Sequence, residues 1–272
     1  MGVARFDGWG CGGMRIGDEL DFLYSEAEAT RSCVVATSSG MRNALNRRVA
    51  RGAAVKLLPG LYLRSSYWAG LDFDARRSHV IRGVADQDHD RVFCFTSAAI
   101  IHGLEVPHLL PADVHIVSGK TSRCGRLVRH DVPRRDAVCV SFLYVTPLAQ
   151  TVFDCIRSLS FPFALAIADS ALRVTGRSPS DLVEEIAHCC KGRCGMPRAL
   201  AILALADGRA ENGGESYARA IMLEQGVMAP DLQVGLRDRI GGGTFRTDFG
   251  WLGLSGGDVA GELDGVEKPR AG

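Results

Sequence analysis

Residues 41–64 read MRNALNRRVARGAAVKLLPGLYLR, and they combine a helical pattern with a strongly basic composition. Met41, Leu45 and Val49 recur every four residues, which predicts a single apolar stripe along a helix that spans residues 41–51. Gly52 follows the last turn and is predicted to end this helix, because glycine readily adopts the left-handed conformation found just beyond a helix C-terminus.

A short hairpin pattern follows the helix. Residues 55–58 and 61–63 are mostly apolar and flank Pro59-Gly60, a pair that predicts a type II turn. A helix followed by a basic hairpin is typical of a winged helix, whose helix enters the DNA major groove while the hairpin contacts the backbone. The sequence therefore predicts a winged-helix-like domain at residues 17–71.

Charge is segregated in this part of the chain. Seven basic residues lie between positions 31 and 71, and no acid occurs between Glu28 and Asp72, although the net charge of the whole chain is only +1. Arginine and asparagine suit DNA because they bind phosphate oxygens and base edges. An exposed basic helix that only aids solubility is the alternative. The predicted DNA-binding residues are Arg42, Asn43, Asn46, Arg47, Arg48, Arg51, Lys56 and Arg64.

Strand and helix patterns alternate through a predicted middle α/β domain at residues 72–205. Strands are predicted at residues 91–95, 114–117 and 138–145, and helices at 146–159, 161–174, 180–190 and 196–206, with Ser180 as the cap of the third. His102 lies among apolar residues, and we predict a packing role for it. The cluster His188-Cys189-Cys190-x3-Cys194 offers soft ligands, but adjacent cysteines do not readily face one metal, so zinc is not expected.

Carboxylates follow one another along the last segment, predicted as a separate domain at residues 206–272. Glu215 begins a predicted helix in GGESYARAIMLEQG, and Asp248 lies within a predicted strand, FRTDFGW. Strands are predicted at residues 232–236, 244–251 and 258–263, joined by turns at 238–243 and 254–257 into an antiparallel meander. Glu262 and Asp264 alternate in AGELDGVEK, at the end of the third strand. A carboxylate within a short apolar strand is costly unless it is paired or bound to a metal. Solvated acids at a sheet edge are the alternative.

Two family resemblances extend these observations. The stretch at residues 41–64, with FTSAAIIHGL at 95–104 and VHIVSGK at 114–120, resembles actinobacterial members of the AbiEi-type antitoxin family over roughly residues 20–205. Members of that family carry an N-terminal winged helix and a second α/β domain, and they repress their own toxin–antitoxin operon by binding DNA. Gly52, Gly60 and Tyr62 match the glycines and the tyrosine of the family pattern.

The last segment resembles the very-short-patch-repair-like branch of the PD-(D/E)XK nucleases. That resemblance implies that Glu215, Asp248, Glu262 and Lys268 are the catalytic residues, with Asp248, Glu262 and Asp264 as ligands of Mg²⁺. Gln233 matches a polar residue on the first strand of that family. Hydrolysis of a phosphodiester develops negative charge that a divalent cation stabilises, and Mg²⁺ prefers oxygen ligands.

The chain ends at Gly272, four residues after Lys268, whereas the nuclease core of that family continues with a helix and a further strand. We therefore expect an incomplete core and inefficient cleavage. A truncation, a frameshift and a partner chain that completes the fold are the three explanations left open.

Taken together, the predicted fold class is α+β: an N-terminal winged helix, a middle α/β domain and a partial restriction-endonuclease-like core, after a disordered segment at residues 1–16. The predicted function is DNA binding with a metal-dependent endonuclease-like segment of doubtful activity. The alternative is a transcriptional repressor or antitoxin without catalysis. Expected partners are double-stranded DNA and either a cognate toxin or a completing chain. We expect a cytoplasmic location and no membrane partner, because the sequence shows neither a membrane span nor a secretion signal.

Overall fold

The computed structural model describes residues 16–132, 136–237 and 242–264, and the chain divides into two compact units, Met1–His89 and Asp90–Gly272. Helices and strands occur in both units, which confirms the α+β class. The segment predicted to be disordered lies, up to residue 15, outside the described residues. Within the described ranges no helix is both long and apolar enough to cross a membrane.

The first unit surrounds a small antiparallel sheet with helices. Its strands pair in the order β1-β3-β2, so that the hairpin β2–β3 is extended by β1. Its elements are α1 (Ile16–Ala29), β1 (Val34–Val35), α2 (Ser39–Ala50), β2 (Ala54–Leu58), β3 (Leu61–Arg64), α3 (Ser65–Gly70) and α4 (Phe73–Gln87).

Both boundaries of the basic helix and the turn of the hairpin follow from local chemistry. Ser38 caps α2 by accepting a hydrogen bond from the backbone N–H of Met41 at 3.1 Å. Gly52 has φ +73° just beyond the helix, as predicted. Gly60 has φ +81°, the value that the third residue of a type II turn requires. The predicted helix and hairpin are therefore confirmed, while the winged-helix identity stays a prediction.

Helix α4, which the sequence pattern placed in the middle domain, packs inside the first unit. Its residues Val80, Ile81 and Val84 are buried. Gly83 lies so close to Cys33 that an added Cβ would stand 2.7 Å from the Cys33 Cβ. The compact unit consequently extends to His89.

The second unit begins with a mixed sheet whose strands pair in the order β6-β7-β5-β4-β9-β8. The parallel pairs are β4–β9 and β5–β7, and the other neighbours are antiparallel. The elements are β4 (Val92–Phe93), α5 (Phe95–Ile101), β5 (Val114–Val117), β6 (Ser122–Cys124), β7 (Leu127–His130), β8 (Val138–Val140) and β9 (Leu143–Val145).

The single strand predicted at residues 138–145 is wrong, because the chain reverses there. Strands β8 and β9 pair with each other around Ser141 and Phe142, both with positive φ (+49° and +66°). Two successive residues in the left-handed region form the turn that suits the twist of a tight hairpin. A run that is apolar except for Ser141 does not reveal such a turn when neither turn position is glycine or asparagine.

Four helices then form the main hydrophobic core together with α5: α6 (Leu148–Ser158), α7 (Phe161–Thr175), α8 (Pro179–Cys189) and α9 (Met196–Leu203). Their predicted positions are confirmed within a few residues. The predicted cap of α8 is wrong: Ser178 caps the helix and forms a capping box with Asp181, while Pro179 occupies the first turn. The His102 Nε2 lies 2.9 Å from the carbonyl oxygen of Thr146, a contact that fits the predicted packing role.

A helix and a meander complete the second unit: α10 (Gly213–Glu224), β10 (Asp231–Arg237), β11 (Thr244–Trp251) and β12 (Val259–Gly261). All three strands are antiparallel neighbours in chain order, as predicted. Leu232 and Phe249 are buried against α10, where Ala218 and Met222 contact them. The first predicted turn of this meander falls mostly on residues 238–241, outside the described ranges.

An ion pair without solvent access joins α10 to α7. Arg219 Nη2 lies 2.9 and 2.8 Å from the two carboxylate oxygens of Asp169, and the side chains are 7% and 0% exposed. Asp169 also accepts the backbone N–H of Asp207 at 2.8 Å, and Arg219 donates to the carbonyl of Leu205 at 2.8 Å. The helix that begins the last segment is thus part of the core of the second unit.

Removing one partner of this pair should destabilise the protein strongly. We expect Asp169→Ala to lower the free energy of unfolding by roughly 3–5 kcal/mol, because the Arg219 guanidinium would remain buried without its counter-charge. Chemical denaturation followed by circular dichroism measures the change.

The exposed pair Arg177–Glu185 provides the matched control. Glu185→Ala should change the free energy of unfolding by no more than about 1 kcal/mol, since exposed pairs contribute little. Equal effects of the two substitutions would contradict a structural role for the buried pair.

Candidate nucleic-acid interface and carboxylate cluster

One face of α2 is exposed and carries arginine and asparagine side chains. Ala44 and Leu45 are buried on the opposite face, which leaves a broad polar surface along the helix. The exposed residues of that surface are Arg42, Asn43, Asn46 and Arg47. Asn46 is fixed in place, because its Oδ1 accepts a hydrogen bond from the Tyr62 hydroxyl at 2.9 Å.

Two of the eight predicted DNA-binding residues hold α1 instead. Arg48 Nη1 lies 2.5 Å from Asp21 Oδ1, and Arg64 Nη1 lies 2.8 Å from Glu28 Oε2. Both guanidinium groups also stand over the ring of the buried Tyr24, at 5.7 and 5.3 Å from its centroid. These arginines therefore stabilise the first unit, and their contacts compete with any role at a DNA surface.

The other four basic residues that are predicted to bind DNA are exposed. Arg42, Arg47, Arg51 and Lys56 form no ion pair with a carboxylate in the part of the chain that the structure describes. Unpaired exposed cations cost little in water and are available to neutralise the phosphates of a nucleic acid. The predicted basic surface thus separates into a structural pair and four available side chains.

Arg42 and Lys56 also line a groove of about 550 Å³ between the start of α2 and the hairpin. Thr37 and, from the end of α4, Asp86 and Gln87 line it as well. Asp86 is held by the Ser32 hydroxyl at 2.5 Å, and Gln87 donates to the carbonyl of Pro59 at 2.9 Å. The groove follows the hairpin that corresponds to the predicted wing.

A second polar cluster lies in the other unit, around Glu215 at the start of α10. Asn212 caps the helix, because its Oδ1 accepts the N–H groups of Gly214 and Glu215 at 2.8 and 3.0 Å. The amide of Asn212 and the backbone N–H of Glu211 donate to the two oxygens of the Glu215 carboxylate, at 2.5 and 2.8 Å. Glu215 is only 3% exposed.

Gln233 connects this carboxylate to Asp248. Its Nε2 lies 3.0 Å from Glu215 Oε2 and 3.5 Å from Asp248 Oδ1. Gln233 has φ +56°, a conformation that is uncommon for a residue with a side chain and that is found in turns and at functional sites. The structure therefore brings together Glu215 and Asp248, two of the predicted catalytic residues, through an amide that the sequence analysis noted only by resemblance.

The environment of Glu215 favours its protonated form. Burial is the largest cause that raises the pKa of this carboxyl, and the nearby negative charge of Asp248 raises it further. Hydrogen bonds from Glu211 and Gln233 act in the opposite direction without cancelling the rise. A carboxyl with a raised pKa next to a second carboxylate is a frequent feature of functional sites.

The other predicted residues of the cluster lie at its solvent-exposed edge. Phe249 pairs with Gly261, so continuing this register places Glu262 opposite Asp248 on the neighbouring chain segment. Glu262 and Asp264 are exposed, and Asp248 Oδ2 accepts the backbone N–H of Leu263 at 2.9 Å. Lys268, the fourth predicted catalytic residue, lies outside the described residues.

Among residues 16–132, 136–237 and 242–264, no group of three His, Cys, Asp or Glu side chains is close enough to hold a metal ion. The oxygens of Glu215 are already used by N–H donors, and one oxygen of Asp248 is used by Leu263. The described geometry is that of a carboxylate pair bridged by an amide, and a divalent cation would have to displace Gln233 to bind both carboxylates.

Sequence reasoning missed several residues that shape these sites. Asp21 and Glu28 lie before the acid-free stretch in the sequence. The charge pattern therefore gave no sign that they pair with Arg48 and Arg64. Asn212 could have been found from its position three residues before Glu215, which is typical of a helix cap. Glu211 contacts Glu215 through its backbone N–H, and a contact of this kind cannot be predicted from the identity of the side chain.

Comparison with known proteins adds relatives without a known activity. No protein-family model matches the chain. Two uncharacterized proteins from two strains of Mycobacterium tuberculosis are each 32% identical to it over 179 residues, which is 65% of this chain. The matched region spans 63% of the length of these curated relatives. The similarity therefore carries no activity over to this chain.

The raised pKa of Glu215 makes a prediction about stability and pH. A carboxyl whose pKa is higher in the folded state than its ordinary value of 4.5 binds its proton more tightly when folded, so its stabilising contribution is complete below pH 4.5 and is lost as the pH rises through the folded value. Glutamine resembles the protonated acid at every pH. The melting temperature of Glu215→Gln minus that of the wild type should therefore increase as the pH rises from 4 to 7.

Asp248→Asn is the matched control, because it removes the charge that helps to raise the pKa of Glu215. Introducing Glu215→Gln into that background should give a smaller pH-dependent difference. Thermal denaturation at a series of pH values measures both differences, and a pH-independent difference in the wild-type background would contradict the raised pKa.

Proposed function

We propose that this protein binds double-stranded DNA through its first unit. The observation that carries the proposal is the exposed face of α2, where Arg42, Asn43 and Arg47 have no acidic neighbour on the helix and lie beside a hairpin that carries Lys56. A helix of this kind fits the major groove, and the adjacent hairpin is in reach of the DNA backbone.

The side chains on this face match the chemistry of DNA on two levels. Arginine pairs with guanine edges and phosphates, and asparagine pairs with adenine edges. Asn46 is oriented by Tyr62, which lowers the conformational entropy lost when its amide binds a partner. Arg42 and Lys56 offer two cations to a backbone phosphate in the groove beside α2, against the single carboxylate of Asp86.

The charge of the whole chain favours a local interface. A net charge of +1 gives no general attraction to a polyanion, so affinity has to come from the four available cations, Arg42, Arg47, Arg51 and Lys56. Arg48 and Arg64 are excluded from this set by their contacts with α1. We expect modest affinity from one chain and a correspondingly small dependence on salt.

The pair of Glu215 and Asp248 supports a second proposal, that the second unit binds a divalent cation such as Mg²⁺. A cation between a buried carboxyl and a neighbouring carboxylate would offset the repulsion that raises the pKa of Glu215. Continuing the register of β11 and β12 places Glu262 opposite Asp248. When bound, such a cation supplies the charge stabilisation that phosphodiester hydrolysis needs. The residues of this chain contribute the ligands, and Gln233 contributes an amide that donates to both carboxylates.

The endonuclease hypothesis and the repressor or antitoxin hypothesis differ in which of the two sites they require. Both require the DNA surface on α2, whereas only the endonuclease requires the carboxylate cluster. Nicking of a supercoiled plasmid that depends on Mg²⁺ and is lost in Asp248→Asn and Glu262→Gln would favour the endonuclease. Binding without nicking would favour the repressor.

Neutralising the face of α2 should weaken DNA binding in a way that depends on salt. The logarithm of the binding constant falls with the logarithm of salt concentration by about 0.9 for each phosphate contact, so the double variant Arg42→Ala/Arg47→Ala should lose up to about 1.8 of this slope. Fluorescence anisotropy with a labelled duplex of mixed sequence, repeated across salt concentrations, measures it.

Arg48→Ala and Lys191→Ala are the controls for this experiment. Arg48→Ala should lower the melting temperature, because it breaks the contact with Asp21, and should leave the salt slope nearly unchanged. Lys191→Ala removes an exposed cation from the other unit and should change neither quantity. If the double variant retained the wild-type slope, α2 would not be the DNA surface.

Mg²⁺ should stabilise the folded protein through the carboxylate pair. A ligand that binds only the folded state adds about 1.4 kcal/mol at ten times its dissociation constant, so the melting temperature should rise with the concentration of MgCl₂. Asp248→Asn should reduce this rise because it removes one ligand.

Glu184→Gln is the matched control, since Glu184 is an exposed acid on α8. It should leave the Mg²⁺-dependent rise unchanged. A rise that is identical in wild type and Asp248→Asn would show that Mg²⁺ acts elsewhere on the protein.

A further inference from the structure

Two adjacent cysteines lie side by side at the C-terminal end of α8. The sulfur atoms of Cys189 and Cys190 are 3.4 Å apart, and both cysteines are free thiols. Cys189, the last residue of the helix, is exposed, whereas Cys190 is 1% exposed and belongs to the hydrophobic core. One sulfur is therefore accessible to a reagent from solvent, and the other is held in contact behind it.

The surroundings connect the buried thiol to a charged network. Arg193 Nη1 lies 3.8 Å from Cys190 Sγ, and Arg193 Nη2 lies 2.6 Å from Asp154 Oδ1. Asp154 is completely buried and also accepts a hydrogen bond from Arg157 Nε at 3.0 Å. Arg193 therefore contacts both the Cys190 sulfur and the buried carboxylate of Asp154.

We propose that Cys189 and Cys190 form an oxidation site at which a hydroperoxide converts the two thiols into a reversible disulfide between neighbouring residues. No third cysteine, histidine or acid in the described part of the chain joins the pair to make a metal-binding group. Two thiols in contact, one of them exposed, are the minimum that this chemistry needs.

The reaction balances in two steps. The Cys189 thiol loses its proton, and the thiolate attacks one oxygen of the hydroperoxide, so that an S–O bond forms and the O–O bond breaks. The hydroxide or alkoxide that leaves takes up that proton as water or an alcohol, and the product at Cys189 is a sulfenic acid. The sulfur of Cys190 then attacks Cys189 Sγ, an S–S bond forms, the S–O bond breaks, and the hydroxide leaves with the Cys190 proton as water. The sulfurs are oxidised, and the hydroperoxide is reduced.

Geometry also predicts that this disulfide is easily reduced. Disulfides usually join residues whose Cα atoms are about 4.4–6.8 Å apart. Neighbouring residues are held at about 3.8 Å by a trans peptide bond. Strained and exposed disulfides are the labile ones. Burial raises the pKa of the Cys190 thiol to about 12, so this thiol stays protonated until it attacks the sulfenic acid at Cys189.

Tryptic mapping of the full chain tests the proposal, because the sequence separates the possible partners. Cleavage after Arg177, Lys191 and Arg193 places Cys189 and Cys190 in one peptide, residues 178–191, and Cys194 in another, residues 194–198. The folded protein is treated with hydrogen peroxide, and remaining thiols are alkylated under denaturing conditions. We expect peptide 178–191 to escape alkylation and to be lighter than its dithiol form by two hydrogen atoms, and dithiothreitol to restore both alkylation sites.

Two variants and one internal control sharpen the result. Cys189→Ser replaces the exposed thiol and should abolish the loss of hydrogen, while Cys190→Ser should stop the reaction at a sulfenic acid that dimedone traps. Cys94 is fully buried in the same unit and should remain alkylatable after peroxide treatment. Persistence of both thiols in peptide 178–191, a link from that peptide to residues 194–198, or a link between two chains would each overturn the proposal.

Discussion

The ion pair of Arg219 and Asp169 determines where the last segment of the chain sits in the second unit. Both side chains are almost without solvent access, so their charges need each other and the surrounding backbone groups. The pair fixes α10 along α7, and Glu215 lies one turn earlier on α10. The meander that carries Gln233 and Asp248 packs on the same helix. The position of the carboxylate cluster therefore depends on an interaction that lies outside it.

Burial governs the chemistry of that cluster as well. Burial raises the pKa of the Glu215 carboxyl above its ordinary value, and the neighbouring charge of Asp248 raises it further. Gln233 contributes an uncharged donor between the two carboxylates and adopts a left-handed backbone conformation to do so. A cation that binds both carboxylates has to displace Gln233, because the Gln233 amide already donates to each of them.

In the first unit the same residue type serves two purposes. The acid-free stretch contains arginines that bind α1 and arginines that face solvent, and only the tertiary contacts separate them. Arg48 and Arg64 stand over the ring of Tyr24. They also pair with Asp21 and Glu28, and these contacts hold α1 against α2 and β3. Arg42 and Arg47 then project from a helix that is rigidly held. A surface that binds a polyanion needs this support, because a loosely held helix would lose more entropy on binding.

The sequence by itself determined the local features of this protein: the α+β class, the basic helix with its terminal glycine, the Pro59-Gly60 turn, the buried helix around Asp169 and the three strands of the last segment. Periodicity and turn chemistry act over a few residues, so the sequence reveals them directly. Only the tertiary structure decided that Asp169 faces Arg219, that Arg48 and Arg64 pair with α1, and that Gln233 bridges Glu215 and Asp248. These contacts join residues far apart in the chain, and no local pattern encodes which distant charge or amide will meet a buried one.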